Sequence, residues 1–573
     1  MYTNAKLILL LGVFATVTSW EVPENINDTF FGSIGREHPY GEAEVQGDIP
    51  EWISGYFIHQ TVGSLGNHDN TEEGGKLTHT FDGLGTVASF KFNSGHAEFS
   101  TRFYVTQPYK IFDYYSRDMD KSKVAWGTIF SPMHQQQLSK WSGFNDYVND
   151  NPNVAFWKIG DNVQAMSEAL AGIWFTLDTL ESKGLYPFKD TNLGLPSYMV
   201  SLNNPAHEQT DEDGVTVYGS TVMYDVSDIT SVNATRFLYK IVDDERIPIA
   251  SFHEAGPFDL NQCHLNDSYP ALNTRGGYMH SFSMTQNYFV MPISAYLINV
   301  CSIFVSNPLD PEMPFFLGNW QFSDTKPTRF VIISRSTNQV VGEFSTPDGL
   351  FITHQLSSYE LDGKMYLDML TYQGNIYWHF YIDELMAGPR GMRTRVERFV
   401  VDMSDWSLEE RVELFPSRDH ELLEFSTVNY QYHNAKPYKY AYMVGFDPLP
   451  NVLIKLNVDT GESVYWGPYD GLLPGEPIFV ATPGSTSEDD GVVIANVLDS
   501  NAEKGMVVVL DAATFTELGR VISPEVMPFG LHSKFIHQDF EPIPKPTTVS
   551  AASQPVIRSV YILLVSSLVL LSL

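Results

Sequence analysis

Short runs of β-branched and aromatic residues, each closed by a polar turn, recur along almost the whole chain, and few folds accommodate so many of them. Asn451-Val-Leu-Ile-Lys-Leu-Asn457, the turn Asp459-Thr-Gly461 and Ser463 to Trp466 read as one hairpin. Met506 to Asp511, Ala512-Ala-Thr514 and Phe515 to Ile522 read as another. Phe81 to Phe92, His96 to Val105, Arg329 to Phe344 and Met365 to Tyr372 carry the same alternation of strand and turn. Strands this short and this closely spaced predict an all-β architecture, either a sandwich, a barrel or a propeller. For 573 residues, a radial array of four-stranded blades is the most economical single domain. No motif is shared between repeats. The segment from Ser122 to Leu170 is richer in Gln, Lys, Trp and polar residues, and is expected to form helices or long loops over one face.

Four histidines stand in similar settings on separate predicted strands or loops. They are His207 in NNPAHEQTDEDGVTVYG, His280 in GYMHSFSMTQNYFVMP, His354 in FITHQLSSYELDGKMYLDM and His532 in PFGLHSKF. The intervals of 73, 74 and 178 residues match no helical zinc motif. Residues so far apart in sequence can meet on the axis of a radial fold. An all-imidazole donor set is neutral and suits iron, copper, nickel or zinc better than magnesium or calcium. Ligating imidazoles need a partner on the other ring nitrogen. Three glutamates in apolar or small-residue surroundings are candidates, namely Glu168, Glu424 and Glu476, although exposed turn glutamates would read the same way.

Composition and the two ends bound the setting. A hydrophobic content of 43% marks a folded globular protein, and a net charge of -34 argues against nucleic acid as a partner. The first 19 residues carry one Lys and then an apolar run, the pattern of a secretory signal peptide. Residues 20–541 then form the folded domain, 542–555 a Pro/Thr/Ser-rich stalk, and 556–573 an apolar tail without a following charge. Small residues, a polar spacer and such a tail are expected to direct attachment of a glycolipid (GPI) anchor, with a C-terminal membrane segment as the alternative. The protein is therefore expected at the extracellular face of the cell membrane, or secreted. Three sequons, at Asn27, Asn233 and Asn266, are expected glycosylation sites. Two cysteines, Cys263 and Cys301, are too few for a disulfide scaffold and form one possible bridge. Nothing in the sequence indicates an oligomeric state.

FDGLGTVASFKF, VYGSTVMYD, MHSFSMTQNYFV, FITHQLSSYELDGKMYLDM, NYQYHNAKPYKYAY, GEPIFVATPGSTSEDDGVV and PFGLHSKF together give the chain, from about Phe30 to about Phe540, a resemblance to the carotenoid cleavage oxygenases. The likeness is to their animal branch of β-carotene oxygenases and retinoid isomerohydrolase. It implies a seven-bladed β-propeller with a cap of helices and loops over the metal-site face. It implies Fe(II) on the axis, held by His207, His280, His354 and His532, with Glu168, Glu424 and Glu476 hydrogen-bonded to three of them. It implies no catalytic residue beyond the metal centre. The implied reaction joins dioxygen to a carotenoid or apocarotenoid and splits one C=C bond into two carbonyls. The alternatives are a retinoid isomerohydrolase acting on retinyl esters and an anchored, non-catalytic carotenoid-binding protein. The aromatic residues Phe282 and Phe351, close to the ligands in sequence, are expected to line the substrate tunnel.

The chain departs from the family pattern in three places. The segment around His207 has a lengthened acidic loop, the turn at His59-Gln-Thr-Val-Gly63 is altered, and Ser131-Pro-Met-His134 replaces the segment that associates with membranes in vertebrate members.

Overall fold

The computed structural model describes residues 22–34, 36–64, 79–110, 151–170, 172–263, 276–300, 320–374, 376–387, 393–416, 422–447 and 449–541. The signal and anchor segments, the stalk, Ser131–His134, Asn266 and Cys301 lie outside these residues. The chain up to Phe540 is one compact unit. Among the described residues no helix is long and apolar enough to cross a membrane.

Seven antiparallel sheets form the blades of a β-propeller. The second blade runs from Ala155–Ile159 to Ser182–Leu185, and the third from Met199–Asn203 to Glu245–Phe258. The fourth runs from Ser283–Met284 to Val340–Ser345, and the fifth from Phe351–Leu361 to Leu408–Glu413. The sixth runs from Leu422–Thr427 to Ser463–Trp466. The seventh runs from Leu472–Ala481 to Glu517–Ile522 and gains Glu44–Gly47 as an outer strand. The first blade is built from strands between His38 and Phe103, and its free edge pairs with the last strand, Gly530–His537. Each end of the chain thus completes a sheet made mostly from the other end, and this closes the ring.

The period-two rule explains why the central strands are continuous apolar runs. In Arg329–Ser334, Phe330 and Ile332 pack into the layer shared with the fifth blade. Val331 and Ile333 pack into the layer shared with the third. A blade is buried on both faces, so its central strands show no polar alternation. The two sequence hairpins form as read, with strands Pro450–Asn457 and Ser463–Trp466, and Lys504–Asp511 and Glu517–Ile522. Arg329 to Phe344 is two strands, broken by a turn in which Asn338 takes a φ of 58°. The expectation of helices or loops between Ser122 and Leu170 fails from Ala155 onward. There Ala155–Ile159 and Asn162–Met166 form a strand pair, because Phe156, Trp157 and Val163 are core residues. Residues 122–150 lie outside the described ones.

Two segments form the roof over one face, namely His79 to Asp82 and Ile376 to Ala387. Their backbones bridge at His79 and Tyr381. The Thr80 hydroxyl donates to Phe380 O at 3.1 Å, and the His79 Nε2–H to Tyr377 O at 2.9 Å, while His79 Nδ1 accepts from the Phe81 N–H. His79 is fully buried, and burial lowers its pKa from 6.5 to about 3. The folded protein therefore keeps it neutral at pH values where the unfolded chain protonates it. Its contribution is complete above about pH 6.5 and is lost as pH falls toward 3, at about 1.4 kcal/mol per pH unit. Urea unfolding followed from pH 6 to pH 4 is expected to show this slope, and His79→Asn to flatten it by one proton. An unchanged slope in that variant would contradict the assignment.

Candidate metal centre

Every blade sends one side chain to the axis. In blade order they are His532, Glu168, His207, His280, His354, Glu424 and Glu476. The four histidines offer ligand atoms that all lie within 4.8 Å of one another. Consecutive Nε2 atoms are 3.1 Å apart for His207 and His280, 3.3 Å for His280 and His354, and 3.2 Å for His354 and His532.

Breaks in strand register aim several of these residues. The pairing of Phe351–Leu361 shifts between Ile352 and Gln355, on either side of His354. That of Leu422–Thr427 shifts between Glu424 and Thr427, and that of Leu472–Ala481 between Pro474 and Pro477 around Glu476. A bulge turns a side chain out of the pleat and toward the axis. At the second of these breaks Phe425 takes a φ of 57°, a costly conformation for an aromatic residue. Its ring is thereby set 5.3 Å from that of His532 and 6.0 Å from that of His354.

The other nitrogen of three rings is held by a carboxylate. His280 Nδ1 lies 2.8 Å from Glu168 Oε1, His354 Nδ1 2.6 Å from Glu424 Oε2, and His532 Nδ1 2.8 Å from Glu476 Oε1. An imidazole that donates its Nδ1–H to a carboxylate presents a bare lone pair at Nε2. Three such lone pairs then face one another at hydrogen-bond distance with no proton between them, an arrangement that a bound cation satisfies. The 3.1–3.3 Å separations match neighbouring ligand atoms around an ion held at about 2.1 Å. The four histidines form a metal site. His207 differs from the others, because among the described residues no carboxylate reaches its Nδ1. Its place is fixed through the backbone, where Trp157 Nε1 donates to Ala206 O at 2.6 Å.

Electrostatics agree with neutral ligands. Burial, and then the neighbouring imidazoles, hold His207 and His280 well below the usual histidine range. Burial pushes the Glu168 carboxyl up to about 8, against hydrogen bonds from Tyr278 and Asn203. Burial also acts to raise Glu424, but the His354 imidazole and the hydrogen bonds from His354, Tyr372 and Thr353 outweigh it and hold the carboxyl below its usual value. A dication at the histidines favours the ionised form of every carboxylate near it.

Sequence reasoning missed the layer behind the glutamates. The Tyr372 hydroxyl donates to Glu424 and the Tyr278 hydroxyl to Glu168, while Ser533 N–H donates to Glu476. Asn203 serves two purposes. Its Nδ2 donates to Glu168 Oε2 at 3.3 Å, and its Oδ1 accepts from Met279 N at 3.2 Å, next to His280. Behind it, the fully buried Arg236 reaches Gly277 O at 3.4 Å and Asn203 Oδ1 at 3.5 Å, and pairs with Glu254. Gly277 is required here, since a Cβ would fall 2.4 Å from Ser294 O. The pair Gly276-Gly277 ahead of His280 was the one sequence signal of this close packing.

A cavity of about 490 Å³ meets the site at His280, His354 and His532. Its walls include Phe81, Leu202, Ile376, Phe380, Phe425 and Leu531. Phe282 and Phe351, expected as lining, are not among its walls. Phe282 belongs to the core layer between the third and fourth blades, and Phe351 packs on Tyr278, Tyr296 and Tyr377. Phe282 and His280 lie ahead of the strand Ser283–Met284, and a shift in register separates Phe351 from His354, so distance along the chain to a ligand does not set where either ring points.

The other expected residues are placed as follows. Asn27 is exposed on the helical turn Ile26–Thr29, and Asn233 is half-buried on Val232–Val242. Cys263 is disulfide-bonded, and the only other cysteine of the sequence, Cys301, lies outside the described residues.

Comparison with known proteins places this geometry. The family model of RPE65, the retinal pigment epithelial membrane protein, matches residues 31–537. A β,β-carotene 15,15'-dioxygenase of Gallus gallus is 27% identical, over 89% of this chain and 98% of its own length. A carotenoid isomerooxygenase of Galleria mellonella is 25% identical, over 86% of this chain and 93% of its own. The crystal structure of a cobalt-substituted Synechocystis apocarotenoid oxygenase superposes with a TM-score of 0.69 at 20% identity, over 90% of this chain and 98% of that one.

Proposed function

We propose a function from one premise: the chain belongs to the RPE65 family, the carotenoid cleavage oxygenases. It is a carotenoid cleavage dioxygenase, which splits one C=C bond of a carotenoid or apocarotenoid into two carbonyl products at the expense of dioxygen. The observation that carries this reading is the junction of the apolar cavity with the four-histidine centre. The metal in this reading is Fe(II), which fits a neutral imidazole set and a reaction that needs a redox-active ion. Bound there, it supplies the binding and activation of dioxygen.

The protein's own work is positional. Leu202, Ile376, Phe380 and Leu531 offer a polyene an apolar bed and exclude water. The glutamates hold three imidazoles in the tautomer that faces the axis. The bond that lies beside the histidines is the one cut, so the depth of the cavity beyond them sets the products.

The same reading places the protein in the secretory pathway, held at the outer face of the cell membrane by a glycolipid. The apolar ends of the sequence, the exposed sequon at Asn27 and the oxidised state of Cys263 support this.

One experiment tests both parts. The full chain is expressed on animal cells, released with phosphatidylinositol-specific phospholipase C, and assayed for iron and for carotenoid bleaching with and without dioxygen. Release into the medium supports the lipid anchor, and retention refutes it. Oxygen-dependent bleaching to two carbonyl fragments, identified by mass, supports the oxygenase. Bound colour that persists over a full iron site marks a binding protein instead. Oxygen-independent turnover of a retinyl ester marks an isomerohydrolase.

A further inference from the structure

A second chamber, of about 390 Å³, meets the same centre from another side. It touches His207, His354 and His532 but not His280, whereas the apolar cavity touches His280 but not His207. The two chambers differ in chemistry. The second is lined by hydroxyls, amides and charge, among them Ser281, Ser283, Gln355 and Thr427. At its wall Lys534 pairs with Glu208 at 2.5 Å and donates to Phe156 O at 3.2 Å.

A short strap crosses this chamber. The helical turn Tyr430–His433 follows the innermost strand of the sixth blade. Its Tyr430 hydroxyl donates to Leu356 O of the fifth blade at 3.0 Å. The next residue, Asn434, donates from Nδ2 to Thr210 O of the third blade at 3.0 Å. Two hydrogen bonds therefore tie a segment of one blade to two others, both of them outside the metal centre.

We propose that this polar chamber is the passage by which a hydrated divalent cation reaches and leaves the four histidines, with the strap at 430–434 as its cover. An ion stripped of water costs several kcal/mol even in a relaxed protein interior. The wall of the first cavity is mostly apolar, although Glu168, Thr353 and Glu424 line it together with the histidines. The polar chamber offers hydroxyl and carbonyl oxygens, and in Glu208 a carboxylate whose charge Lys534 balances. The division leaves the apolar cavity to the carotenoid, so loading of metal and of substrate do not compete for one route.

The proposal rests on the metal reading of the site, and Co(II) separates the two. The loaded protein is transferred into excess chelator, the loss of cobalt is followed in visible absorption, and the freed protein is then reloaded. Removing both strap bonds, with Tyr430→Phe and Asn434→Ala together, is expected to speed release and uptake alike by about fivefold or more. The equilibrium affinity is expected to stay the same, because a passage changes both rates and not their ratio. Asn434→Ala alone is expected to give a smaller change in the same direction, should the double variant fold poorly. Leu202→Trp, which fills the apolar cavity, is expected to leave both rates unchanged.

Unchanged rates in the strap variants would overturn the passage. So would faster release without faster uptake, which marks a weakened site, or slowed exchange in Leu202→Trp. Failure of the unaltered protein to bind cobalt at all would instead refute the metal site itself.

Discussion

His280→Ala is expected to lose its metal and, with it, all measurable cleavage, while the purified variant keeps the far-ultraviolet circular dichroism of the parent. The size of the effect follows from the position. His280 Nε2 is the one that lies near both His207 and His354, at 3.1 and 3.3 Å. Its removal deletes a ligand and also leaves Glu168 without its imidazole, and a reaction that depends on the ion falls by at least about a thousandfold. The fold is expected to survive, because the blades are held by their own layers. Metal per chain by atomic emission and product formation are the two readings. A variant that binds a full equivalent of metal and cleaves normally would remove His280 from the centre.

Arg236→Leu is expected to cause a large loss of stability. The Arg236 and Glu254 side chains are both fully buried and lie 2.5 Å apart. Removing the guanidinium leaves a carboxylate in the interior without its partner, at a cost of about 3–5 kcal/mol. The double variant Arg236→Leu/Glu254→Gln is expected to recover a large part of this, since the stranded charge is gone. Denaturant unfolding of the parent and the two variants checks it. Equal stabilities for the single and double variants would show that the cost lies elsewhere. The loss also propagates to the site. Arg236 contacts Asn203 and Gly277, so the single variant is expected to hold metal more weakly by about 10–100-fold, the effect typical of lost outer partners.

How far the chain can be read without coordinates depends on the range of each interaction. The hairpin from Pro450 to Trp466 was legible because a turn and two apolar strands are local facts. Glu424 in Leu-Leu-Glu-Phe-Ser was only a candidate by its surroundings, since an exposed turn glutamate reads the same way; the family likeness selected it, and it proves to be 2% exposed and bound to His354. The four histidines could be suspected from their settings, and the family likeness selected them from the 16 in the chain. Asn203, Tyr278 and Arg236 were not legible. Each acts on a residue 33 to 110 positions away, and apart from Gly276-Gly277 beside Tyr278 nothing near them in sequence marks that role. Phe282 and Phe351 failed for the opposite reason. They are close to ligands along the chain, but irregular backbone around His280 and the register shift before His354 decide where they point.

The last strand, Gly530–His537, both closes the ring and carries His532. Its partner Gly55–Ser64 is made well over four hundred residues earlier and keeps an open edge until Gly530–His537 has followed. Contacts of such long range are slow to form. The complete set of four imidazoles therefore comes together only once Gly530–His537 has paired with Gly55–Ser64. An ion that takes all four imidazoles can be held only by a molecule that has passed its own closure, so possession of a metal is a certificate of a finished fold.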